Sequence, residues 1–266
     1  MREEKITIIT VCYNAEHTIE NTIRSVLNQS YSNLEYIIVD GLSNDNTIEI
    51  INSYRTKFIN KKIPFVIISE KDMGIYDAMN KGIEAAQGQW ILFMNSDDKI
   101  ADSSVLLKVF SKDNSGIDVI YGDSIQYDEK KKYPIKAKPI EMLPKRMPFM
   151  HQAVFVRSNL CKRYKFDLSY KLCSDYDFFF KLYSEGVNFK RIDLTICYYY
   201  IGGVSGNNQL KALKEVIAIK KKHKDKYAIT WIDEILWVLE AIKFCVKKAI
   251  PVRLIENYRR YTRHHT

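Results

Sequence analysis

The chain has 266 residues, of which 46% are hydrophobic and 12% aromatic, so it can bury a large core and disorder is not expected. Its net charge of +9 lies almost entirely in the last quarter, where residues 201–266 carry 14 Lys and Arg against 6 Asp and Glu. Because residues 1–200 carry 27 basic residues against 26 acidic ones, a nucleic-acid-binding core is disfavoured and no nucleic-acid partner is expected.

The first part of the chain alternates between apolar strands and amphipathic helices. β-Branched residues predict a strand over Lys5–Cys12, and Asn14 is the expected N-cap of a helix over Ala15–Asn28. The elements predicted next are strands over Leu34–Val39, Pro64–Ser69 and Trp90–Met94, a helix ending near Lys57 and a helix over Ile75–Ala86. Strand–helix alternation of this kind is typical of an α/β fold with a mostly parallel sheet flanked by helices.

The pattern is less regular after Asp102, which is expected to cap the next helix. The elements predicted for the remainder are strands over Val119–Gly122, Gln152–Val156 and Asn188–Tyr200, a turn or flap over Tyr127–Lys132, and helices over Asp175–Ser184, Leu210–Lys224 and about Thr230–Lys248. The sequence has no internal repeats and no low-complexity linkers. We therefore expect one large domain followed by a helical appendage.

Polar residues follow each of the four predicted strands in the first part of the chain. These strand ends are Thr10–Asn14, Asp40, Glu70–Asp72 and Asn95–Asp98. In a parallel sheet they share one edge, so they should converge on a ligand site, although any single one is explained equally well by a strand ending in a turn. No G-x-G-x-x-G follows the first strand, so a bound phosphate would need a cation, which Asp97 could ligate.

Four segments in combination resemble glycosyltransferase family 2. They are T-V-C-Y-N (10–14), I-I-V-D-G-L-S-N-D-N-T (37–47), S-E-K-D-M-G-I-Y-D-A-M-N-K-G-I (69–83) and G-Q-W-I-L-F-M-N-S-D-D (88–98). The third segment is especially similar to the bacterial branch that builds cell-surface polysaccharides. The resemblance implies a GT-A catalytic domain over 1–205 and leaves a basic amphipathic helical appendage over 206–266. It also implies inverting transfer of a hexosyl or N-acetylhexosaminyl group from a nucleotide-diphosphate donor, expected to be a UDP-sugar, to a glycan or lipid-linked glycan hydroxyl.

The resemblance assigns site roles by position. Asn95-Ser96-Asp97 stands at the D-x-D position, which implies Asp97 as the ligand of a divalent metal, Mn²⁺ or Mg²⁺; Asn95 replaces the first Asp by a weaker, neutral ligand. Asp98 either accepts a hydrogen bond behind the site or caps the next helix. His151 fits a site near the donor phosphates or acceptor, or a packed or surface residue. The residues implied to bind the nucleotide-sugar are Thr10, Val11, Tyr13, Asn14, Asp40, Asp72, Lys81, Asn95, Ser96 and His151.

Asp175 opens the predicted helix in L-C-S-D-Y-D-F-F-F-K-L (172–182). An Asp at a helix start is usually a cap. This segment, however, resembles the acidic motif of the family, which implies Asp175 as the general base and leaves Asp177 a structural role. With an ordinary pKa of about 3.9, such a group is ionised at neutral pH and can accept a proton. Gly202-Gly203-Val204-Ser205 resembles the family loop that closes over the diphosphate, or is an ordinary glycine turn.

The C-terminal appendage and the cysteines indicate where in the cell the protein is expected to be found. Apolar residues from Tyr227 to Ile250 leave a narrow polar stripe, with Lys220–Lys222 and later basic residues at its flanks. This helix is expected to pack on the catalytic domain, to form a homo-oligomer, or to contact an anionic membrane peripherally over 227–263. The N-terminus lacks the apolar region of a signal peptide, and the five cysteines are scattered. We therefore expect a cytoplasmic protein, with peripheral attachment at the inner face of the membrane.

Two other functions stay open at this point. A nucleotidyltransferase would also use a nucleotide site with metal-binding carboxylates. It would, however, need a glycine- and lysine-rich phosphate loop after the first strand, where this chain has C-Y-N-A-E-H. A non-catalytic sugar-nucleotide-binding or scaffold protein is weakly favoured by Asn95, while Asp97 and Asp175 argue against it.

Overall fold

The computed structural model describes residues 3–128, 131–201 and 208–223. The strands in these ranges are β1 (Ile6–Cys12), β2 (Leu34–Asp40), β3 (Phe65–Ser69), β4 (Trp90–Phe93), β5 (Lys99–Ile100), β6 (Val119–Tyr127), β7 (Lys132–Ile135), β8 (Val154–Arg157) and β9 (Phe189–Tyr200). The α-helices are α1 (Ile19–Leu27), α2 (Thr47–Ser53), α3 (Arg55–Asn60), α4 (Ile75–Ala85), α5 (Val105–Phe110), α6 (Ser158–Tyr164), α7 (Ser174–Ser184) and α8 (Gln209–Lys222).

The strands form one mixed sheet in the order β3-β2-β1-β4-β8-β6-β9-β5, with β7 paired to β6. β3, β2, β1 and β4 are mutually parallel, as the strand–helix alternation predicts. The second half departs from the predicted pattern, because β8 is antiparallel to both β4 and β6, and β5 is antiparallel to β9. Antiparallel neighbours need no helical crossover between them, which is why regular alternation is lost there.

The first three strands end level with one another. Cys12 at the end of β1 lies beside Asp40 of β2, and Asp40 lies beside Ser69 of β3. The loop after β4 reaches the same edge, since the Met94 main-chain N–H donates to the Ile9 carbonyl at 2.9 Å. The polar segments predicted to converge therefore leave the sheet along one edge.

Apolar side chains cover both faces of the sheet. Ile6 and Ile8 of β1 pack into one core layer, with α1, α2, α3 and α5, whereas Ile9 and Val11 pack into the other layer, with α4, α6 and α7. Since successive strand residues point to opposite faces, burial on both sides requires an uninterrupted apolar run. All seven residues of β1 are buried.

Several predicted boundaries differ from the structure. The first helix begins at Ile19, and Asn14 is not its N-cap: its backbone is left-handed, with φ of 49°, and its side-chain Oδ1 accepts a hydrogen bond from the Asn44 main-chain N–H at 2.9 Å. This contact turns the chain before the helix starts. The helix predicted to end near Lys57 is divided at Tyr54 into α2 and α3. A 3₁₀ turn over His151–Ala153 replaces the start of the predicted strand.

The appendage is described only in part. Its first helix, α8, packs against α7. The predicted loop Gly202-Gly203-Val204-Ser205, the predicted helix over Thr230–Lys248 and the predicted membrane contact over 227–263 lie outside the described residues. None of the helices described has both the length and the hydropathy that crossing a membrane requires. The division of the chain at residue 205 stays a prediction.

Candidate active site

Asp98 lies beneath the loop that follows β4. Its side chain is 2% exposed. Oδ2 accepts a hydrogen bond from Gln152 Nε2 at 2.8 Å, and Oδ1 accepts one from the main-chain N–H of Tyr200 at 3.1 Å. Burial, followed by the charge of Asp97, raises the pKa of Asp98 to about 7. Asp98 therefore joins this loop to the segment before β8 and to the end of β9, and of its two predicted roles it fits the hydrogen-bond acceptor.

The main chain of the same loop is held by two hydroxyl groups. Thr22 Oγ1 donates to the Asp98 carbonyl at 2.6 Å, and the Tyr127 hydroxyl donates to the Asp97 carbonyl at 2.8 Å. Burial raises the pKa of the Asp97 carboxyl group, and the charge of His151 opposes that rise. Among the residues described, Asn95 Oδ1 is buried and has no hydrogen-bond partner, so an acceptor and a carboxylate are available two residues apart.

Asp175 lies in the first turn of α7, where its side chain is 19% exposed. The Tyr76 hydroxyl of α4 donates to Oδ1 at 2.9 Å, and His151 Nδ1 lies 3.3 Å from Oδ2. Burial raises the pKa of Asp175, but the hydrogen bond and charge of His151, together with the Tyr76 hydrogen bond, outweigh burial and lower it. The carboxylate is therefore ionised at neutral pH and oriented by two donors from other elements.

His151 connects the two acidic parts of the site. Its side chain is 16% exposed, with Nδ1 against Asp175. Its charge, when it is protonated, also acts on Asp97 and Asp98, where it partly offsets the increase in pKa caused by burial. Within the described part of the chain, Nε2 is buried without a hydrogen-bond partner. The structure thus brings Asp97, His151 and Asp175 into one site, although they come from three separate segments.

An exposed aromatic ring that follows β1 and a carboxylate that follows β3 both lie beside Gly41, the residue after β2. A Cβ atom placed on Gly41 would lie 2.6 Å from Asp72 Oδ2 and 3.5 Å from a ring carbon of Tyr13. Only glycine leaves room for both groups here. Tyr13 is 60% exposed, and Leu42 and Met73, the neighbours of Gly41 and Asp72 in sequence, are 54% and 66% exposed. This surface suits a nucleoside, whose base can stack on the ring while the carboxylate accepts its hydrogen bonds.

Other residues predicted to bind the nucleotide-sugar are engaged within the protein. Asp40 is 1% exposed, and its Oδ2 accepts hydrogen bonds from Ser69 Oγ at 2.7 Å and from the Ser43 main-chain N–H at 3.1 Å. It therefore shapes the loop after β2. Lys81 Nζ pairs with Glu70 Oε1 at 2.9 Å and donates to the Lys71 carbonyl at 2.7 Å.

The side chains of Thr10 and Val11 are buried, and Thr10 Oγ1 accepts a hydrogen bond from the Tyr36 hydroxyl at 2.9 Å. Any contact of these two residues with a ligand must come from the main chain. Ser96 is half-buried between Asn95 and Asp97. Tyr76 and Gln152 were not predicted from the sequence to belong to the site. Tyr76 nevertheless lies in the segment 69–83 that resembles the family, and Gln152 directly follows the predicted site residue His151.

Comparison with known proteins identifies the family. The sequence profile described as glycosyl transferase family 2 matches residues 7–188, well over half of the chain. The chain belongs to glycosyltransferase family 2. This family member is a glycosyltransferase, as the relatives also indicate.

A PGL/p-HBAD biosynthesis glycosyltransferase of Mycobacterium bovis is 28% identical over 188 residues, covering 70% of this chain and 72% of the relative. TuaG of Bacillus subtilis, whose name assigns it to teichuronic acid biosynthesis, is 43% identical over 94 residues, 35% of this chain and 36% of TuaG.

Solved structures confirm the GT-A fold. Residues 1–349 of S. aureus TarS superpose with a TM-score of 0.63 at 19% identity, covering 81% of this chain and 65% of that one. The mannosyltransferase PcManGT from Pyrobaculum calidifontis, solved with GDP-Man and Mn²⁺, superposes with a TM-score of 0.64 at 14% identity, covering 82% and 64%. This glycosyltransferase thus spans just under two thirds of either structure. TarS has also been solved with UDP and with UDP-GlcNAc.

Proposed function

We propose that this glycosyltransferase moves a sugar, with inversion, from a UDP-sugar to a hydroxyl group of a cell-surface glycan or its lipid-linked precursor. The observation that carries the proposal is the position of Asp175, an ionised carboxylate that shares one histidine with the Asp97 loop. A base beside a site for the leaving nucleotide is what a single displacement at the anomeric carbon requires. The name of TuaG, which assigns that relative to teichuronic acid biosynthesis, supports a role in cell-surface polysaccharide synthesis.

The donor would lie along the carboxyl edge of the sheet. The nucleoside would contact Tyr13 and Asp72, the exposed pair beside Gly41. Its diphosphate would then extend toward the loop after β4, which carries Asn95 and Asp97. Complexes of similarly folded proteins with UDP, UDP-GlcNAc and GDP-Man support a nucleotide-sugar as the donor.

Asn95 and Asp97 would hold a divalent cation, Mn²⁺ or Mg²⁺. They fit this role because Asn95 Oδ1 is a buried acceptor without a hydrogen-bond partner in the described part of the chain, and hard cations take oxygen ligands. The described ranges contain no group of three His, Cys, Asp or Glu side chains placed to hold a metal, so few ligands would come from the protein. When bound, the cation would neutralise charge on the leaving nucleoside diphosphate.

Asp175 would act on the acceptor. Its carboxylate takes the proton of the acceptor hydroxyl as that oxygen forms a bond to the anomeric carbon, on the face opposite the departing diphosphate. The bond between the anomeric carbon and the diphosphate breaks in the same step, so the configuration inverts without a covalent intermediate. Tyr76 and His151 fix the orientation of the carboxylate and keep it ionised.

The proposal also covers the acceptor substrate and the cellular location of the enzyme. A lipid-linked acceptor would bring the enzyme to the inner face of the membrane, which the basic segment over 227–263 would contact. Lys220 and Lys222, predicted to flank this segment on the membrane, have other partners. Lys220 Nζ donates to the Lys145 carbonyl at 2.6 Å, and Lys222 Nζ lies 3.1 Å from Asp177 Oδ1, because α8 packs on the catalytic domain. A homo-oligomer formed through the appendage is the other expectation for this region.

A panel of sugar nucleotides tests the proposal by the product released. Transfer or hydrolysis should release nucleoside diphosphate, whereas a nucleotidyltransferase acting on the same sugar nucleotides would transfer the nucleoside monophosphate and release a sugar 1-phosphate. Asp175→Asn and Asp97→Ala should each abolish most turnover, while Asp193→Asn, which alters an 82% exposed carboxylate, should not. Turnover near wild type in either site variant would remove that residue from its role.

A further inference from the structure

Helix α8 lies beyond the part of the chain that matches the family profile, yet it contacts the segment that carries Asp175. Glu215 of α8 accepts hydrogen bonds from three consecutive main-chain N–H groups. Its Oε1 lies 3.0 Å from the nitrogen of Lys171, and its Oε2 lies 2.8 Å from that of Leu172 and 3.0 Å from that of Cys173. One carboxylate therefore fixes the residues through which the chain enters α7.

The C-terminal end of α8 contacts α7 on the other side of Asp175. Lys222 and His223 lie 3.1 Å and 2.9 Å from Oδ1 of Asp177, whose side chain is completely buried. The His223 ring stacks on Phe180, with ring centroids 4.6 Å apart and an angle of 12° between the planes. Asp175 thus lies between two sets of contacts that α8 makes.

We propose that α8 positions the general base, with Glu215 as the main positioning residue. The inference rests on the proposed role of Asp175. The N-cap of α7, Cys173, makes no side-chain capping hydrogen bond, so Glu215 supplies from another helix the anchoring that a local cap would give. Its negative charge also suits the positive end of the α7 dipole.

The position of α7 determines whether Asp175 can reach its hydrogen-bonding partners. Tyr76 and His151 reach Asp175 from α4 and from the segment before β8, so their hydrogen bonds form only if α7 presents the carboxylate at the right place. Displacement of a catalytic group by about 1 Å can lower a rate on the order of 100-fold. Glu215 itself does not touch the reacting atoms; it acts through Asp175.

The test uses full-length Glu215→Gln, which keeps the side-chain size but loses the charge and one acceptor oxygen. Nucleoside diphosphate released from the best UDP-sugar of the panel is measured well below the thermal unfolding midpoint. We expect kcat to fall on the order of ten- to 100-fold, with the donor KM unchanged within about twofold. Glu84→Gln is the matched control, because Glu84 is 58% exposed and pairs with Lys165 on the surface.

The outcomes separate this inference from the proposed function. If Asp175→Asn retains turnover, the assignment of the base is wrong and α8 has no base to position. If Asp175→Asn is inactive while folded Glu215→Gln has the kcat of Glu84→Gln, the positioning role alone is overturned. Should Glu215→Gln fail to fold, Lys222→Gln replaces it, since Asp177 keeps Lys181 at 2.8 Å and His223 at 2.9 Å. A lower kcat with unchanged donor KM then supports the inference, and a wild-type kcat overturns it.

Discussion

Asp177 is a buried carboxylate that joins α7 to α8. Its side chain is 0% exposed and lies 2.8 Å from Lys181 Nζ, 3.1 Å from Lys222 Nζ and 2.9 Å from His223 Nε2. Lys181 belongs to α7, whereas Lys222 ends α8 and His223 comes directly after it. Replacing Asp177 by Asn keeps the shape of the side chain and removes the charge that these groups share, so it tests how much that charge stabilises the fold.

The magnitude can be worked out from the pKa of this carboxyl group. Burial raises the pKa of Asp177, but the hydrogen bonds and charges of His223, Lys181 and Lys222 outweigh burial and lower it from 3.8 to about 2. At about 1.4 kcal/mol per pH unit, this difference corresponds to about 2–3 kcal/mol of folding free energy at neutral pH. Because the folded-state pKa is the lower one, the stabilisation is complete above the unfolded-state value of about 3.9 and is lost as the pH falls toward about 2.

We expect Asp177→Asn to lower the free energy of unfolding at pH 7 by about 2–3 kcal/mol, and the thermal midpoint by about 5–10 °C. Denaturant titrations at pH 7 and pH 3 measure this, and the variant should lie closer to the wild type at pH 3. Asp193→Asn is the control, since Asp193 is 82% exposed and pairs with Lys136. A loss below about 0.5 kcal/mol at pH 7, or one that does not shrink at pH 3, would refute the reasoning.

Three further predictions concern the donor site. Gly41→Ala places a methyl group 2.6 Å from Asp72 Oδ2, so the Kd for UDP measured by calorimetry should rise. Tyr13→Ala should weaken UDP binding about tenfold in the same titration, because a stacked base contributes about 1–3 kcal/mol; an unchanged Kd would place the base elsewhere. Asn95→Asp should lower the Mn²⁺ concentration that half-activates turnover, since a carboxylate binds a hard cation more strongly than an amide does. An unchanged or higher requirement would argue against Asn95 as a ligand.

The first half of the fold was predictable from sequence because its pattern is local. Parallel strands need crossovers, so buried runs separated by amphipathic helices imply the arrangement of β1 to β4. The antiparallel placement of β8 depends instead on contacts between distant segments, such as Gln152 with Asp98. The start of α1 was mispredicted for the same reason, since the position of Asn14 is set by Asn44.

The site was predictable as a set of residue types but not as an arrangement. Resemblance to the family indicated Asp97, His151 and Asp175, yet nothing in their spacing shows that His151 pairs with Asp175 and that its charge also acts on Asp97. Tyr76 was missed because a tyrosine on the apolar face of a helix looks like a core residue; only the structure shows its hydroxyl against Asp175. Lys81 was predicted from the resemblance to lie near the donor, but in the structure its side chain pairs with Glu70.

The boundary predicted at residue 205 separates the domain that resembles the family from the helical appendage, whereas the contacts of α8 connect the two sides of that boundary. The family profile ends at residue 188, and the acidic motif with Asp175 falls inside it. Glu215, Lys222 and His223 fall outside, yet they engage the residues before and after that base. If these contacts set the position of Asp175, a change in how the appendage is placed would alter kcat without touching the donor site. The appendage would then belong to the catalytic machinery at least through α8, and only the residues beyond α8 would be free to attach the enzyme to a membrane or a partner.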